Sequence, residues 1–193
     1  AIVITGNAKA FSAGFDLNIM RSPKMGQLEV AGFDLMEELF EFPKPVVCAV
    51  RGHAMALGGM TLCCSDYNVG AASCPDKNGN MIPLKIGIVA THIGLKLPSA
   101  GMEFARFRLP PGKYGQNLAI GIVNDSKQAV KAGFLDEIVP HEKVLERAHE
   151  VALGFAASVE PNAYAANKMI CRRPVLDFVK SEVCKRERAA ILA

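Results

Sequence analysis

The sequence is poor in several features that mark particular classes of protein. It contains no tryptophan and no apolar run long enough to cross a membrane. It has no glycine-rich loop carrying lysine before a helix, as a nucleotide-phosphate enzyme requires. Neither sign of charge is in large excess, since 22 basic and 19 acidic side chains leave a net charge of +3. These absences argue against a membrane span, nucleotide-phosphate chemistry and a nucleic-acid partner.

The six cysteines are not arranged as a metal site requires. They stand at positions 48, 63, 64, 74, 171 and 184, a spacing that matches no metal-ligand motif. Several lie in apolar stretches, where cysteine behaves as a small core residue. We therefore expect no bound metal and a reducing compartment, either the cytoplasm or, in a eukaryote, an organelle matrix.

The chain does contain enough apolar residues for a substantial core. Its 193 residues are 50% hydrophobic, which predicts one large buried domain and leaves apolar surface for subunit contacts. The chain opens inside an apolar strand at Ala1, with no methionine or capping residue before it. We expect the full protein to extend beyond this end.

The hydrophobic pattern changes its period most sharply near the end of the first quarter of the chain. Residues 46–50 are apolar and β-branched, which predicts a buried strand. Gly52 ends the strand, and the small apolar residues 54–64 predict a helix buried on all sides. The N–H groups at the start of such a helix have no intrahelical partners. Gly58 would let a ligand approach them, although close packing alone could also explain this glycine.

The amino-terminal residues repeat this arrangement. Residues 1–5 predict another buried strand, Gly6 begins a turn, and the small residues 12–14 again expose backbone N–H groups. Asp16 suits the first turn of a following helix. Two strand ends of this kind could aim two N–H donors at one point.

These two segments together resemble one known family. Residues 10–17, Ala-Phe-Ser-Ala-Gly-Phe-Asp-Leu, and residues 50–59, Val-Arg-Gly-His-Ala-Met-Ala-Leu-Gly-Gly, are similar to the two oxyanion-hole segments of the crotonase superfamily of enoyl-CoA hydratases and isomerases. Residues 125–139 resemble the helix and short strand of that family, so the resemblance covers nearly the whole chain. It implies an α/β protein with a crotonase-like (ClpP/crotonase) ββα-superhelix and a helical carboxyl-terminal trimerisation region.

The resemblance also implies a division of the chain and a set of partners. Residues 1–139 would form the crotonase core, without the first strands of the family, and residues 140–193 the helical trimerisation region. The expected partners are an acyl-CoA substrate and further copies of the chain in a homotrimer or hexamer. No separate cofactor is expected, since coenzyme A is part of the substrate.

The same family supplies an expected site. Its members use two backbone N–H groups to polarise the thioester carbonyl of an acyl-CoA and to stabilise the enolate that forms. The matching donors here are the N–H groups of Phe15 and Leu57, with Gly58 as the alternative to Leu57. The residues expected to contact the substrate are Ala13, Phe15, Asp16, Leu17, Leu57 and Gly58.

The two glutamates that the family's hydratases use are replaced in this chain. Their positions fall on Met60 and Ala90, and neither side chain can transfer a proton. His92 lies near the second position and is a candidate proton carrier, because histidine titrates near neutral pH; a surface histidine is the alternative. We expect His53 to orient its turn through a backbone hydrogen bond and Asp66 to be structural.

Three functions are therefore open at this point. The first is an enoyl-CoA hydratase or isomerase of fatty acid metabolism that stabilises the enolate of an acyl-CoA. The second is a catalytically inactive homologue that serves as a CoA-binding or assembly subunit. The third is a divergent thioester or carbon–carbon hydrolase that uses His92.

The remaining sequence predicts mainly helices. Amphipathic or capped helices are predicted over 27–42, 98–109, 112–121, 127–132 and 142–158, followed by two more that separate at Pro174, and strands over 67–72 and 134–139. The alternation of strands and helices through residue 72 predicts parallel strands, with a ligand site at their carboxyl ends.

Overall fold

The strands of the protein are short and fall into three sheets. The computed structural model describes residues 1–192, and these contain β1 (Ile2–Thr5), β2 (Ala10–Ser12), β3 (Val46–Val50), β4 (His53–Met55), β5 (Tyr67–Ala71), β6 (Ser73–Pro75), β7 (Met81–Pro83), β8 (Ile86–Gly87) and β9 (Glu137–Val139). The larger sheet has the order β1-β3-β5-β9, the second has the order β2-β4-β8, and β6 and β7 form a hairpin.

The larger sheet is parallel throughout. In its register Ile4 pairs with Cys48, and Val47 pairs with Tyr67. Every residue of β3 is buried, because β1 and β5 pair with its two edges and α6 packs against it. The predicted parallel strands at 1–5, 46–50 and 67–72 are confirmed, within one residue at their ends.

Eight α-helices connect and cover the sheets within residues 1–192. They are α1 (Leu17–Met20), α2 (Met25–Glu41), α3 (Leu57–Cys64), α4 (Ser99–Arg108), α5 (Ser126–Ala132), α6 (Val144–Ser158), α7 (Pro161–Val179) and α8 (Glu182–Leu192). Shorter helical turns lie at Ala90–Ile93, Pro111–Lys113, Gly115–Ile120 and His141–Lys143. None of the helices described here combines the length and apolar character that crossing a bilayer demands.

Three sequence-based helix predictions were wrong in their bounds. The helix predicted at 54–64 starts at Leu57, because residues 53–55 pair as a strand between β2 and β8. The helix predicted at 112–121 is a 3₁₀ turn followed by a π-helix. The break predicted at Pro174 is absent from the described chain, and α7 runs through it to Val179. Buried residues on both sides of Pro174 hold that helix in place against the cost of the missing backbone donor.

A buried ion cluster fixes α7 to the end of the larger sheet. The Asp66 carboxylate accepts hydrogen bonds from Lys168 Nζ at 2.7 Å, from Arg172 Nη2 at 2.7 Å and from the Val46 N–H at 2.8 Å. Lys168 and Arg172 are only 7% and 5% exposed. Burial lowers the pKa of both cationic groups, so the Asp66 charge is what keeps them compatible with the interior. The structural role predicted for Asp66 is confirmed.

His53 also has the structural role predicted for it. Its Nδ1 accepts a hydrogen bond from the Lys85 N–H at 3.0 Å, and this bond joins β4 to the segment that leads into β8. Burial, followed by the positive charge of Lys85, lowers the pKa of His53, which agrees with a neutral ring acting as acceptor.

Candidate active site

The three strands of the second sheet end at one cavity. Because β2, β4 and β8 are parallel, their carboxyl ends lie along the same edge of the sheet. The residues that follow them face a cavity of about 230 Å³ between this edge and α2. Its lining consists of Ala13, Phe15, Leu17, Met20, Met25, Leu28, Glu29, Phe33, Met36, Ala56, Leu57, Met60, Ile88, Val89, Ala90, Ile93, Leu95, Lys96, Leu97 and Pro98. We call it the strand-end cavity.

Two backbone N–H groups at this edge have no hydrogen-bond partner among residues 1–192. One belongs to Phe15, in the bend after β2, and the other to Leu57, the first residue of α3. The first N–H groups of a helix have no partner within the helix. No side chain caps the start of α3, so the Leu57 N–H remains unpaired. Both residues line the strand-end cavity.

Close packing of the two segments brings these donors together. Gly14 has φ of +98°, and a Cβ on it would lie 2.9 Å from Ala56 Cβ and 3.5 Å from the Leu57 nitrogen. Phe15 is the next residue, so its N–H stands beside the start of α3. Ala56 has φ of 53° and ψ of −119°, and it is the one non-glycine residue with positive φ within 1–192. Backbone strain of this kind costs about 1–3 kcal/mol and is concentrated at functional sites.

Gly58 packs the start of α3 directly onto the end of β2. A Cβ at this position would lie 2.5 Å from the Ser12 carbonyl oxygen and 2.8 Å from Ser12 Cβ. Gly58 does not line the strand-end cavity, and neither does Asp16. Asp16 caps α1 instead, since its Oδ1 accepts from the N–H groups of Asn18 and Ile19. Of the expected contact residues, the structure therefore brings Ala13, Phe15, Leu17 and Leu57 together at the cavity.

Replacing Gly58 with alanine is expected to lower the free energy of unfolding by about 1–3 kcal/mol, because the new methyl group would collide with the Ser12 carbonyl. The control is Gly154→Ala in α6, where nothing lies within 4 Å of the added carbon. The control should raise the free energy of unfolding by about 0.5–1 kcal/mol, the usual gain for alanine over glycine in a helix. Urea unfolding measures both, and equal stabilisation of the two variants would contradict the close approach at Gly58.

The two positions predicted from the resemblance for the family's glutamates both face the strand-end cavity. Met60, on α3, and Ala90, after β8, are among its lining residues. His92 is not among them. Its ring is exposed, and its Nε2 lies 3.1 Å from the carbonyl oxygen of Ile120, the last residue of the helical turn Gly115–Ile120. The catalytic role of His92 stays a prediction, and this geometry does not favour it.

Sequence reasoning missed both charged residues of the cavity, Glu29 and Lys96. Glu29 lies on α2, where Met25, Leu28, Phe33 and Met36 form the rest of the face that lines the strand-end cavity. These positions are spaced by three or four residues, so Glu29 interrupts an otherwise apolar stripe. That interruption was readable in the sequence. The sequence does not show that this face of α2 lies opposite the strand ends, so the role of Glu29 became visible only in the fold.

The protein also has a larger and more open cavity of about 550 Å³ beside α7. Asp66, Lys168 and Arg172 line it, and their charges already bind one another and nearby carbonyl groups. Its polar groups therefore serve the packing of α7. The strand-end cavity, with two unused donors and a nearly apolar wall, is the better candidate for a ligand site.

Comparison with known proteins places the chain in one family. A family model described as enoyl-CoA hydratase/isomerase matches residues 1–189. The chain is 31% identical over 176 residues to a carnitinyl-CoA dehydratase of Citrobacter koseri, covering 89% of the chain and 62% of that protein. It thus spans 62% of the length of the curated relatives that it matches.

Solved structures agree with this match. The chain is similar to an enoyl-CoA isomerase of Mycobacterium tuberculosis, with a TM-score of 0.83 and 34% identity over 98% of this chain and 76% of the other. It is also similar to an enoyl-CoA hydratase of Mycobacterium ulcerans, with a TM-score of 0.86 and 34% identity over 99% and 79%. The crotonase-like fold is confirmed. These two structures, both at 34% identity, are named for different reactions of the family, isomerisation and hydration.

Proposed function

Because the chain belongs to the enoyl-CoA hydratase/isomerase family, we propose that it binds an acyl-CoA thioester in the strand-end cavity and stabilises the enolate of that thioester. The Phe15 and Leu57 N–H groups are the proposed oxyanion donors. Coenzyme A enters this proposal as part of the substrate, so no separate cofactor is required.

The observation that carries the proposal is the pair of unused N–H groups. Phe15 and Leu57 are half-buried at the edge of the cavity, and neither N–H has a partner within residues 1–192. A ligand in the cavity could therefore accept hydrogen bonds from both. The strain at Ala56 supports the same view, since it turns the chain so that α3 begins at the cavity.

The proposed chemistry follows from where charge develops. An enolate forms when a proton leaves C2, the carbon next to the thioester carbonyl, and the carbonyl oxygen then gains negative charge. Donors fixed at this oxygen therefore stabilise the transition state more than the ground state. The nearly apolar lining strengthens this effect, because charges and dipoles interact more strongly in surroundings of low dielectric constant. Loss of one such donor typically raises the barrier by about 2.7–4 kcal/mol.

A second candidate function is binding of an acyl-CoA without catalysis. The observation in its favour is that Met60 and Ala90 present apolar side chains to the cavity at the positions of the two family glutamates. Such a protein would retain the oxyanion donors for recognition and would show no proton transfer.

Two measurements on the full chain separate these functions. The first compares binding of butyryl-CoA with that of the S-butyl thioether, which lacks only the carbonyl oxygen; we expect about 2- to 12-fold tighter binding of the thioester, the worth of a net hydrogen bond. The second follows exchange of the C2 protons of butyryl-CoA in D₂O by NMR, which requires an enolate. Thioester preference with exchange supports the proposed enzyme, and preference without exchange supports the binding protein. Equal affinity without exchange would contradict the oxyanion site.

A further inference from the structure

Glu29 is the only carboxylate among the residues that line the strand-end cavity. We propose that Glu29 is the catalytic proton carrier, and that this one-carboxylate site isomerises a 3-enoyl thioester to a 2-enoyl thioester without adding water. This inference rests on the proposed function, since it places a base beside the proposed oxyanion donors.

The packing of α2 places Glu29 on the side of the cavity that faces those donors. Gly32, one helical turn after Glu29, approaches so closely that a Cβ on it would lie 2.5 Å from Phe15 Cζ and 3.4 Å from Leu57 Cδ2. Residues three apart on a helix share a face. The face of α2 that carries Glu29 therefore packs against the two residues whose N–H groups would hold the thioester oxygen.

The surroundings of Glu29 suit a base rather than a structural ion. The side chain is half-buried, and within residues 1–192 no cation or hydrogen-bond donor pairs with its carboxylate. Burial raises the pKa of Glu29, and a raised pKa makes a carboxylate a better base near neutral pH. The other ionisable lining residue, Lys96, has a side chain that is 87% exposed and lies 4.0 Å from Glu187.

The proposed reaction balances with this single group. The Glu29 carboxylate removes a proton from C2 of the 3-enoyl thioester, and the electron pair of the C–H bond moves into a dienolate whose oxygen accepts the two backbone hydrogen bonds. The resulting carboxylic acid then delivers the same proton to C4. The double bond moves from C3–C4 to C2–C3, and Glu29 returns to its ionised form. No water, metal or redox partner takes part.

Hydration would demand more than the site contains. Addition of water needs one group that activates the water and orders it, in addition to proton delivery to carbon. The positions expected to carry these two groups are occupied by Met60 and Ala90, and neither side chain can accept or donate a proton. A carboxylate facing an apolar wall can move a proton between two carbons, which is what isomerisation requires.

The test compares Glu29→Gln with the native protein, using Glu38→Gln as the matched control. Glu38 is on the same helix and is exposed, away from the strand-end cavity. With 3-hexenoyl-CoA as substrate, appearance of the conjugated 2-enoyl thioester is followed by ultraviolet absorbance. We expect Glu29→Gln to lower turnover by about 10²- to 10⁴-fold, the usual worth of general acid–base catalysis, and Glu38→Gln to leave it unchanged.

A loss of activity in Glu29→Gln can be separated from a loss of fold. The pKa of Glu29 is higher in the folded protein than in the unfolded protein, so the ionised carboxylate lowers the free energy of unfolding at neutral pH. This effect vanishes below the unfolded pKa, where Glu29 is protonated in the folded and the unfolded protein alike. Glu29→Gln should therefore unfold at no lower urea concentration than the native protein at pH 7. In the native protein, turnover should also fall at acidic pH as Glu29 becomes protonated. The residual turnover of Glu29→Gln should not show this decrease.

The outcomes distinguish this inference from the proposed function. Native protein that shows thioester preference, together with Glu29→Gln that isomerises as fast as native, would overturn the role of Glu29 alone. Native protein that binds with thioester preference but catalyses neither isomerisation nor C2 exchange would overturn it as well, as would hydration of crotonyl-CoA at a rate equal to isomerisation. If the native protein bound butyryl-CoA no more tightly than the thioether and catalysed no exchange, both the role of Glu29 and the proposed function would be overturned.

Discussion

Deleting the Leu57 N–H is expected to slow C2-proton exchange by about 10²- to 10³-fold, the effect of losing one oxyanion donor. Proline removes this donor, and Leu57 is the first residue of α3, where proline is accepted because its N–H would be unpaired in any case. Ala56 precedes it with positive φ, a conformation that its Cβ makes incompatible with a following proline ring. The change is therefore made as Ala56→Gly with Leu57→Pro.

The matched control is Ala56→Gly with Leu57→Ala, which loses the same side chains but keeps the N–H. Exchange of the C2 protons of butyryl-CoA, measured by NMR at saturating ligand, should differ between the two double variants by the stated factor. Urea unfolding of both shows whether the fold is retained. Equal exchange in two folded variants would mean that the Leu57 N–H does not contact the enolate oxygen.

Removing the Asp66 charge is expected to lower the free energy of unfolding by about 3–5 kcal/mol, because it leaves buried charges without a partner. Asp66→Asn keeps the shape of the side chain, yet Lys168 and Arg172 would lose the carboxylate that lies 2.7 Å from each of them. Both are nearly fully buried and cannot turn toward water without displacing α7. Urea unfolding at neutral pH measures the loss.

An exposed ion pair provides the comparison for this effect. Glu146→Gln breaks the contact with Lys143 on α6, where the two side chains are 58% and 59% exposed. Surface pairs contribute about 0.2–1 kcal/mol, so this variant should be close to native in stability. If Asp66→Asn were as mild as Glu146→Gln, the buried cluster would not be what holds α7 against the core.

The strands and turns that lead to the strand-end cavity could be predicted from the sequence because their determinants are local. The β-branched run 46–50 indicated a buried strand, which the structure confirms. The small residues 12–14 and Gly58 indicated open backbone, and the structure adds that Gly14 and Gly58 pack closely against the other segment. The resemblance then named Phe15 and Leu57, both of which line the cavity. Strand, turn and helix start are encoded within a few neighbouring residues, so a single stretch of chain is enough to show them.

The parts that failed depend on contacts between distant stretches. Residues 53–55 form a strand only because β2 and β8 lie on either side of them, which their own composition does not reveal. Pro174 would break an isolated helix, and only the packing around it keeps α7 continuous. Glu29 acquires its surroundings from other segments, which include Phe15 before it and Ala56 and Leu57 at least 27 positions after it.

The free donors after β2 and at the start of α3 belong to the main chain, and this has a consequence for point substitutions. A donor of this kind is specified by the path of the backbone, so ordinary point substitutions leave it in place. The walls that carry Met60, Ala90 and Glu29 come from three different segments, and each side chain can change without moving the donors. Under the proposed mechanism, a substitution at one of these three side chains would change how protons are transferred, while the donors to the thioester oxygen would stay in place.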